Sequence, residues 1–132
     1  MLRDSKSFIK ITLLALPLLL FFELYNENRR NKEDIWNAAI YGKTQLIKKF
    51  LATGIDINTQ DEYGATPLHY ALQSGHTEIS ALLITNEAEI NIPDNDGLTP
   101  LDWAKWLSQK QTADLIRKHG GKTGAELKAE GK

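Results

Sequence analysis

Apolar and polar positions follow two different plans along this chain. From Phe8 to Tyr25 only Lys10, Thr12 and Glu23 interrupt an apolar run, and Ile11 to Phe22 (ITLLALPLLLFF) carries no charge. Eighteen helical residues at about 1.5 Å each cover roughly 27 Å, close to the hydrocarbon thickness of a bilayer, with Lys10 and Glu23 at the interfaces. Pro17 bends such a helix without forbidding it. From Ile35 onward the apolar residues instead recur in short groups at i, i+3, i+4, which predicts short amphipathic helices. The groups are Leu46, Ile47 and Phe50, then Leu68, Ala71 and Leu72, then Ile79, Leu82 and Leu83, and finally Leu115 and Ile116.

The first plan predicts a membrane anchor over residues 8–25 of a single-pass protein. A charged start (Arg3, Lys6, Lys10) ahead of an apolar core also fits a secretory signal. Between Pro17 and Trp36, however, there is no Ala, Ser or Gly to offer a signal peptidase a small residue. An uncleaved anchor is the preferred reading. A cleaved signal, which would leave a secreted or periplasmic protein, and an apolar helix folded back onto the soluble part are the alternatives. Arg29, Arg30 and Lys32 match the basic residues of the other flank, so orientation rests on the very short N-terminal flank and on Lys10 beside the apolar core. Both favour an N-terminus inside and the rest of the chain on the non-cytoplasmic side.

The second plan is an internal repeat. Residues 61–71 (DEYGATPLHYA) and 94–104 (DNDGLTPLDWA) match at an offset of 33, with Asp61, Gly64, Thr66, Pro67, Leu68 and Ala71 recurring as Asp94, Gly97, Thr99, Pro100, Leu101 and Ala104. Ile57-Asn58 recurs as Ile90-Asn91, and the same register places Ile35, Ala38 and Gly42 over Leu68, Ala71 and Gly75. Three units follow. Asp-x-x-Gly forms a tight turn, because glycine is free to take positive φ and aspartate bonds the backbone ahead of it. Thr-Pro then opens a helix, threonine as N-cap and proline at the first helical position, where its missing N–H is harmless. Gly75-His76 ends that helix, and Ile79, Leu82 and Leu83 mark a second. A helix pair of this kind cannot bury its apolar face alone, so the units must stack.

These residues resemble the ankyrin-repeat family. The motif D-x-x-G-x-T-P-L-H-x-A is complete at Asp61 to Ala71 and, with Asp102 in place of histidine, at Asp94 to Ala104. The resemblance implies an all-α fold, a short ankyrin-type solenoid of stacked helix-turn-helix repeats with connecting turns, here preceded by a single hydrophobic helix. The expected organisation is an anchor over 1–25, a polar linker over 26–33, a repeat domain over 34–122 (units 34–60, 61–93 and 94–122) and a flexible polar tail over 123–132, with at most a helical turn at 125–128. Unit one departs from the pattern at Asn28 to Asp34 (NRRNKED), where Asp34 is placed to cap the first helix. Unit three carries Thr112 and Asp114 where unit two has Ile79 and Ala81, as suits an end with no fourth unit.

Candidate chemistry adds little. With no cysteine, a net charge of -1 and 25% charged residues, the chain has no disulfide framework, thiolate site or basic surface for nucleic acid. His69 sits where its ring reaches the Thr66 hydroxyl, His76 follows a helix-ending glycine, and His119 stands at a helix C-terminus; all three read as structural. GGKTG at 120–124 lacks the spacing and preceding strand of a phosphate loop, and Asp94, Asn95 and Asp96 are not continued into a calcium loop. We therefore expect no enzyme, no catalytic or metal-binding residue, no cofactor, no small-molecule substrate and no nucleic acid. Charge distribution changes the picture more. No Lys or Arg occurs between Lys49 and Lys105, whereas Asp56, Asp61, Glu62, Glu78, Glu87, Glu89, Asp94, Asp96 and Asp102 do. Such a field favours a partner with a basic patch.

The resemblance also implies where a protein partner would meet the chain, at turn tips and the exposed side of first helices. By register these positions are Ile40 and Tyr41, then Gln60, Glu62, Tyr63, Ala65, Gln73 and Ser74, then Asn95, Asp96, Leu98, Trp106 and Leu107. Tyr41, Tyr63 and Trp106 have the large amphipathic side chains of interface anchors, although Trp106 and Leu107 equally suit a fold over the bare end. The expected function is a membrane-tethered protein–protein interaction module. The alternative is an exported inhibitor or immunity-type protein that masks a basic site on an enzyme or toxin.

Overall fold

The computed structural model describes residues 17–26 and 35–132. It divides into two compact units, Met1–Glu33 and Asp34–Lys132. In the first, residues 17–26 are helical, Phe21 and Tyr25 stack with ring centroids 6.5 Å apart, and Leu18 to Phe22, Leu24 and Tyr25 are all exposed. Among the described residues no helix is long and apolar enough to cross a membrane. Half of the expected anchor, residues 8–16, lies outside the described residues, as do residues 27–33 of the linker and the capping position Asp34.

The second unit contains only helices and turns among its described residues. Residues 35–40 (α1) pair with α2 (Thr44–Ala52), α3 (Pro67–Gln73) with α4 (Thr77–Thr85), and α5 (Pro100–Trp106) with α6 (Lys110–Lys118); α7 (Gly124–Ala129) closes the chain. First helices pack on first helices (α3 on α5), and second on second (α2 on α4, α4 on α6). This is the stacked order that the repeat register requires.

The core lies between the layers. Ile35, Leu68 and Leu101, and below them Ala38, Ala71 and Ala104, are each at most 2% exposed, so the small residue of every first helix sits where neighbouring helices come closest. Ile47, Leu83 and Ile116 are fully buried on the second helices. Side chains of this size contribute about 1.5–3 kcal/mol each on leaving water. One layer alone would leave half of them wet, which is why the stack and not the helix pair is the folding unit.

Two sequence expectations need correction at the C-terminal end. Thr112 is buried, and only Asp114 is turned outward. The tail expected to be flexible over 123–132 instead contains α7, because Thr123 and Glu126 form a capping box and the Arg117 guanidinium holds Glu126 through two bonds of 2.9 and 2.8 Å. Lys122 grips Glu130 in the same way at 2.7 and 2.8 Å. The Arg117 bonds and the Thr123 N–H hold the Glu126 carboxyl down at about 2. The start of α7 lies so close to the unit-three turn that a β-carbon on Gly124 would come within 2.0 Å of the Gly97 carbonyl oxygen. Where unit two buries Leu72 and Ile84 against the next layer, unit three has exposed Lys105 and Arg117, so the remainder of the open end is charged.

Candidate protein-binding surface

The turn tips are built by one device used twice. Asp61 Oδ1 accepts the N–H groups of Tyr63 and Ala65 at 3.0 and 2.9 Å, and Asp94 Oδ1 accepts those of Asp96 and Leu98 at 3.0 and 2.9 Å. The second oxygen of each aspartate receives an aromatic donor from the following helix. Tyr70 gives its hydroxyl to Asp61, and Trp103 gives its indole N–H to Asp94 Oδ2 at 2.8 Å. Burial, followed by that carboxylate, pushes the Tyr70 phenol upward, so it stays a donor. Gly64 takes φ +72° under Asn95, whose oxygen would lie 2.6 Å from any β-carbon there.

Neighbouring tips are tied together. Asn95 donates its backbone N–H to Tyr63 O at 2.9 Å and its side-chain amide to Glu62 O at 2.8 Å, while the Gln60 amide reaches Gly64 O at 2.8 Å and Pro93 O at 3.3 Å. Below the tips, Asn58 Oδ1 accepts Glu89 N–H and, one repeat later, Asn91 Oδ1 accepts Lys122 N–H, both at 2.8 Å. His76 Nε2 reaches back to Ile40 O at 3.0 Å, and Gln109 Nε2 reaches Leu72 O at 2.6 Å.

A third series joins each first helix to the layer ahead. Trp36 Nε1 donates to Thr59 O at 3.2 Å, and His69 Nε2 meets Leu98 O at 3.2 Å. At the corresponding place Asp102 Oδ2 accepts Gly124 N–H at 2.7 Å. His69 Nδ1 faces the Thr66 N–H and hydroxyl at 3.1 and 2.9 Å, so its neighbours assign the proton to Nε2. Burial lowers the pKa of this ring and keeps it neutral, against the raising pull of the Leu98 carbonyl, Asp94 and Asp61.

On this frame the ten principal positions expected to meet a partner, Tyr41, Gln60, Glu62, Tyr63, Gln73, Ser74, Asn95, Asp96, Leu98 and Trp106, are all exposed. Tyr41, Tyr63 and Trp106 are 70%, 65% and 75% exposed, so Trp106 does not fold over the end. Ile40, Ala65 and Leu107 are half-buried. Gln60 and Asn95 do more than face solvent, because their amides brace the tips. Among the described residues no group of three or more His, Asp or Glu side chains is placed to hold a metal ion.

A family model described as ankyrin repeats in three copies matches residues 35–128. The chain belongs to the ankyrin-repeat family. It is 46% identical over 51 residues to an ankyrin repeat-containing protein of Schizosaccharomyces pombe, covering 39% of this chain and 25% of that protein. It is 37% identical over 67 residues to a fowlpox virus ankyrin repeat protein, covering 51% of this chain and 48% of that one. It is also 32% identical over 65 residues to acyl-CoA-binding domain-containing protein 2 of Arabidopsis thaliana, covering 49% and 18%. These matches thus span from under a fifth to about half of the relatives' lengths. Ankyrin repeats generally serve as protein-interaction modules, and the match reaches into α7, past the expected domain end at 122.

Sequence reasoning missed three residues of the ankyrin surface. Tyr70 and Trp103 share the 33-residue register with Asp61 and Asp94, and that shared register was the available signal for the aromatic–carboxylate pair. Asp102 was visible only as a departure from the motif, and its reason, the Gly124 N–H, required the placement of α7.

Proposed function

We propose that the chain is a membrane-tethered adaptor that holds a protein partner through its turn tips and first-helix faces, without catalysing a reaction. The observation that carries this reading is the exposure of Tyr41, Tyr63, Leu98 and Trp106 on a frame whose other large apolar side chains are buried or half-buried. Large exposed apolar residues gathered on the tips and first helices of a repeated frame are the composition of an interface. Support for the tether is the apolar run over residues 8–25, together with exposed Leu18 to Phe22, which water disfavours and lipid accepts. On this reading the repeats lie on the non-cytoplasmic side.

Two measurements test it. Alkaline carbonate extraction should leave the chain in the membrane pellet, and release of the intact chain would refute the tether. Pull-down from membranes solubilised in detergent, followed by mass spectrometry, should recover a partner that Tyr63→Ala with Trp106→Ala loses at unchanged melting temperature; a partner retained by that variant would refute the surface. A second reading, an exported inhibitor covering a basic site, is favoured by the nine carboxylates and the absence of Lys and Arg between Lys49 and Lys105. It demands that association weaken steeply with salt.

A further inference from the structure

Unit three carries an open groove on its first helix and tip. Leu98, Asp102, Trp103 and Trp106 line an open cavity of about 350 Å³. Their counterparts one repeat earlier are Ala65, His69, Tyr70 and Gln73, so all four lining positions change while the Asp, Gly, Thr, Pro, Leu and Ala of the frame do not. The change does not build core. Trp106 is 75% exposed and Leu98 39%, so neither side chain belongs to the buried core.

The chemistry of the lining is specific. Trp106 meets Trp103 edge to face, with centroids 5.5 Å apart and ring planes at 77°, which makes an aromatic corner with two π surfaces on its walls. Trp103 is fixed in place, because its indole N–H is bound to Asp94 Oδ2. A carboxylate at the N–H edge also pushes electron density into the ring, which strengthens its attraction for a cation. Asp102 adds full negative charge. Its Oδ2 takes all of its hydrogen bonds among the described residues, from Thr99 N, Thr99 Oγ1 and Gly124 N, which leaves Oδ1 open. Leu98 supplies an apolar wall of the kind that packs an alkyl stem.

We infer that this groove is the receptor for one cationic side chain, arginine or lysine, of the protein partner. The head group lies against the two indoles and Asp102 Oδ1, and its methylene stem lies on Leu98. Charge complementarity selects this occupant, since Asp102 lines the groove and the stretch between Lys49 and Lys105 that carries its tip holds nine carboxylates and no Lys or Arg. The inference rests on the proposal that the tips and first helices meet a protein.

The test uses the full chain in an uncharged detergent, labelled with ¹⁵N at its three tryptophans. N-acetyl-arginine amide, N-acetyl-lysine amide and the uncharged N-acetyl-citrulline amide are titrated while the indole resonances are followed. Saturable shifts of Trp103 and Trp106 with a cationic probe, with Trp36 unmoved and citrulline silent, uphold the groove, and the stronger of the two cations identifies the head group. Trp106→Ala should weaken the Trp103 response about tenfold without changing the melting temperature. An equal response to citrulline, or no saturable shift, overturns it. The binding face is separated by the partner pull-down. A partner lost by Tyr63→Ala but kept by Trp106→Ala overturns the groove and leaves the face standing. A partner kept by both overturns the face and, with it, the groove's role as receptor for the partner, whatever the indole shifts.

Discussion

Replacing Asp102 by histidine restores the residue found at this position in unit two, yet it should destabilise the fold. His69 works because the layer ahead offers an acceptor, the Leu98 carbonyl, 3.2 Å from Nε2. Ahead of Asp102 the layer offers a donor, the Gly124 N–H, 2.7 Å from Oδ2. Oδ2 is also the atom that receives the Thr99 N–H and hydroxyl, as Nδ1 of His69 receives those of Thr66. A histidine held at 102 in the pose of His69 would spend the single lone pair of Nδ1 on Thr99, and its Nε2–H is a donor, so the Gly124 N–H loses its acceptor. The bond lost is charge-assisted, about 1.5–3 kcal/mol, and a half-buried N–H is left without a partner, so we expect a loss of about 2 kcal/mol. In urea at pH 7.5, with a slope near 1.5 kcal/mol per molar, the midpoint should fall by roughly 1.3 M at unchanged slope. Hydrogen exchange should show the Gly124 amide losing protection. Asp102→Asn, which keeps an uncharged acceptor, should lose less than half as much. A midpoint for Asp102→His equal to or above that of the parent would falsify the donor–acceptor argument.

Three further expectations follow from particular contacts. Stability should decline with acid through His69: its native pKa is depressed by burial, so between that value and the ordinary ~6.5 the unfolded chain binds more protons. The contribution is complete above ~6.5 and is lost as pH falls towards the native value; a His69 pKa at or above 6.5 by NMR titration would sink this account. Ser80→Ala should raise the urea midpoint by an amount worth about 1 kcal/mol, because the Ser80 hydroxyl is buried with no hydrogen-bond partner among the described residues; a lowered midpoint contradicts it. Gly42→Ala should cost about 2 kcal/mol and Gly75→Ala about 1, since both take positive φ (+68° and +72°) but only at Gly42 does a β-carbon meet a neighbour, His76 Cε1 at 2.7 Å. Equal losses for the two variants would show that the ring simply moves aside.

The parts legible in the sequence are those that the repeat states twice. Asp61 and Asp94, Thr66 and Thr99, and Leu68 and Leu101 declare their roles by recurring at an offset of 33, and each does the same job in both units. The exposed tips follow from the same register. What a repeat cannot reveal is the place where it stops. Thr123-x-x-Glu126 is a legible capping box, but composition weighed against it, because Gly120, Gly121 and Gly124 read as a loose polar tail. In the fold two of those glycines are buried for want of room: a β-carbon on Gly121 would lie 2.2 Å from Ile116 Cγ2, and one on Gly124 would strike Gly97 O. Glycine there marks close packing, a meaning that only the neighbouring layer supplies.

The end of the stack also explains why unit three differs in just the positions it does. An array of identical layers would pass a donor forward at every step, as Trp36 and His69 do, and would leave the last donor unmet. Asp102 reverses the polarity of the final step, so that a helix N-terminus, with its orphan N–H groups, can close the array in place of another tip. With α7 in that place, Leu98 and Trp106 stay exposed. The carboxylate that holds the start of α7 thus also lines the tryptophan corner. Termination and the cation groove share a residue, so Asp102→Asn should weaken both stability and the indole response to arginine. Trp106→Ala, remote from the Gly124 bond, should weaken only the second.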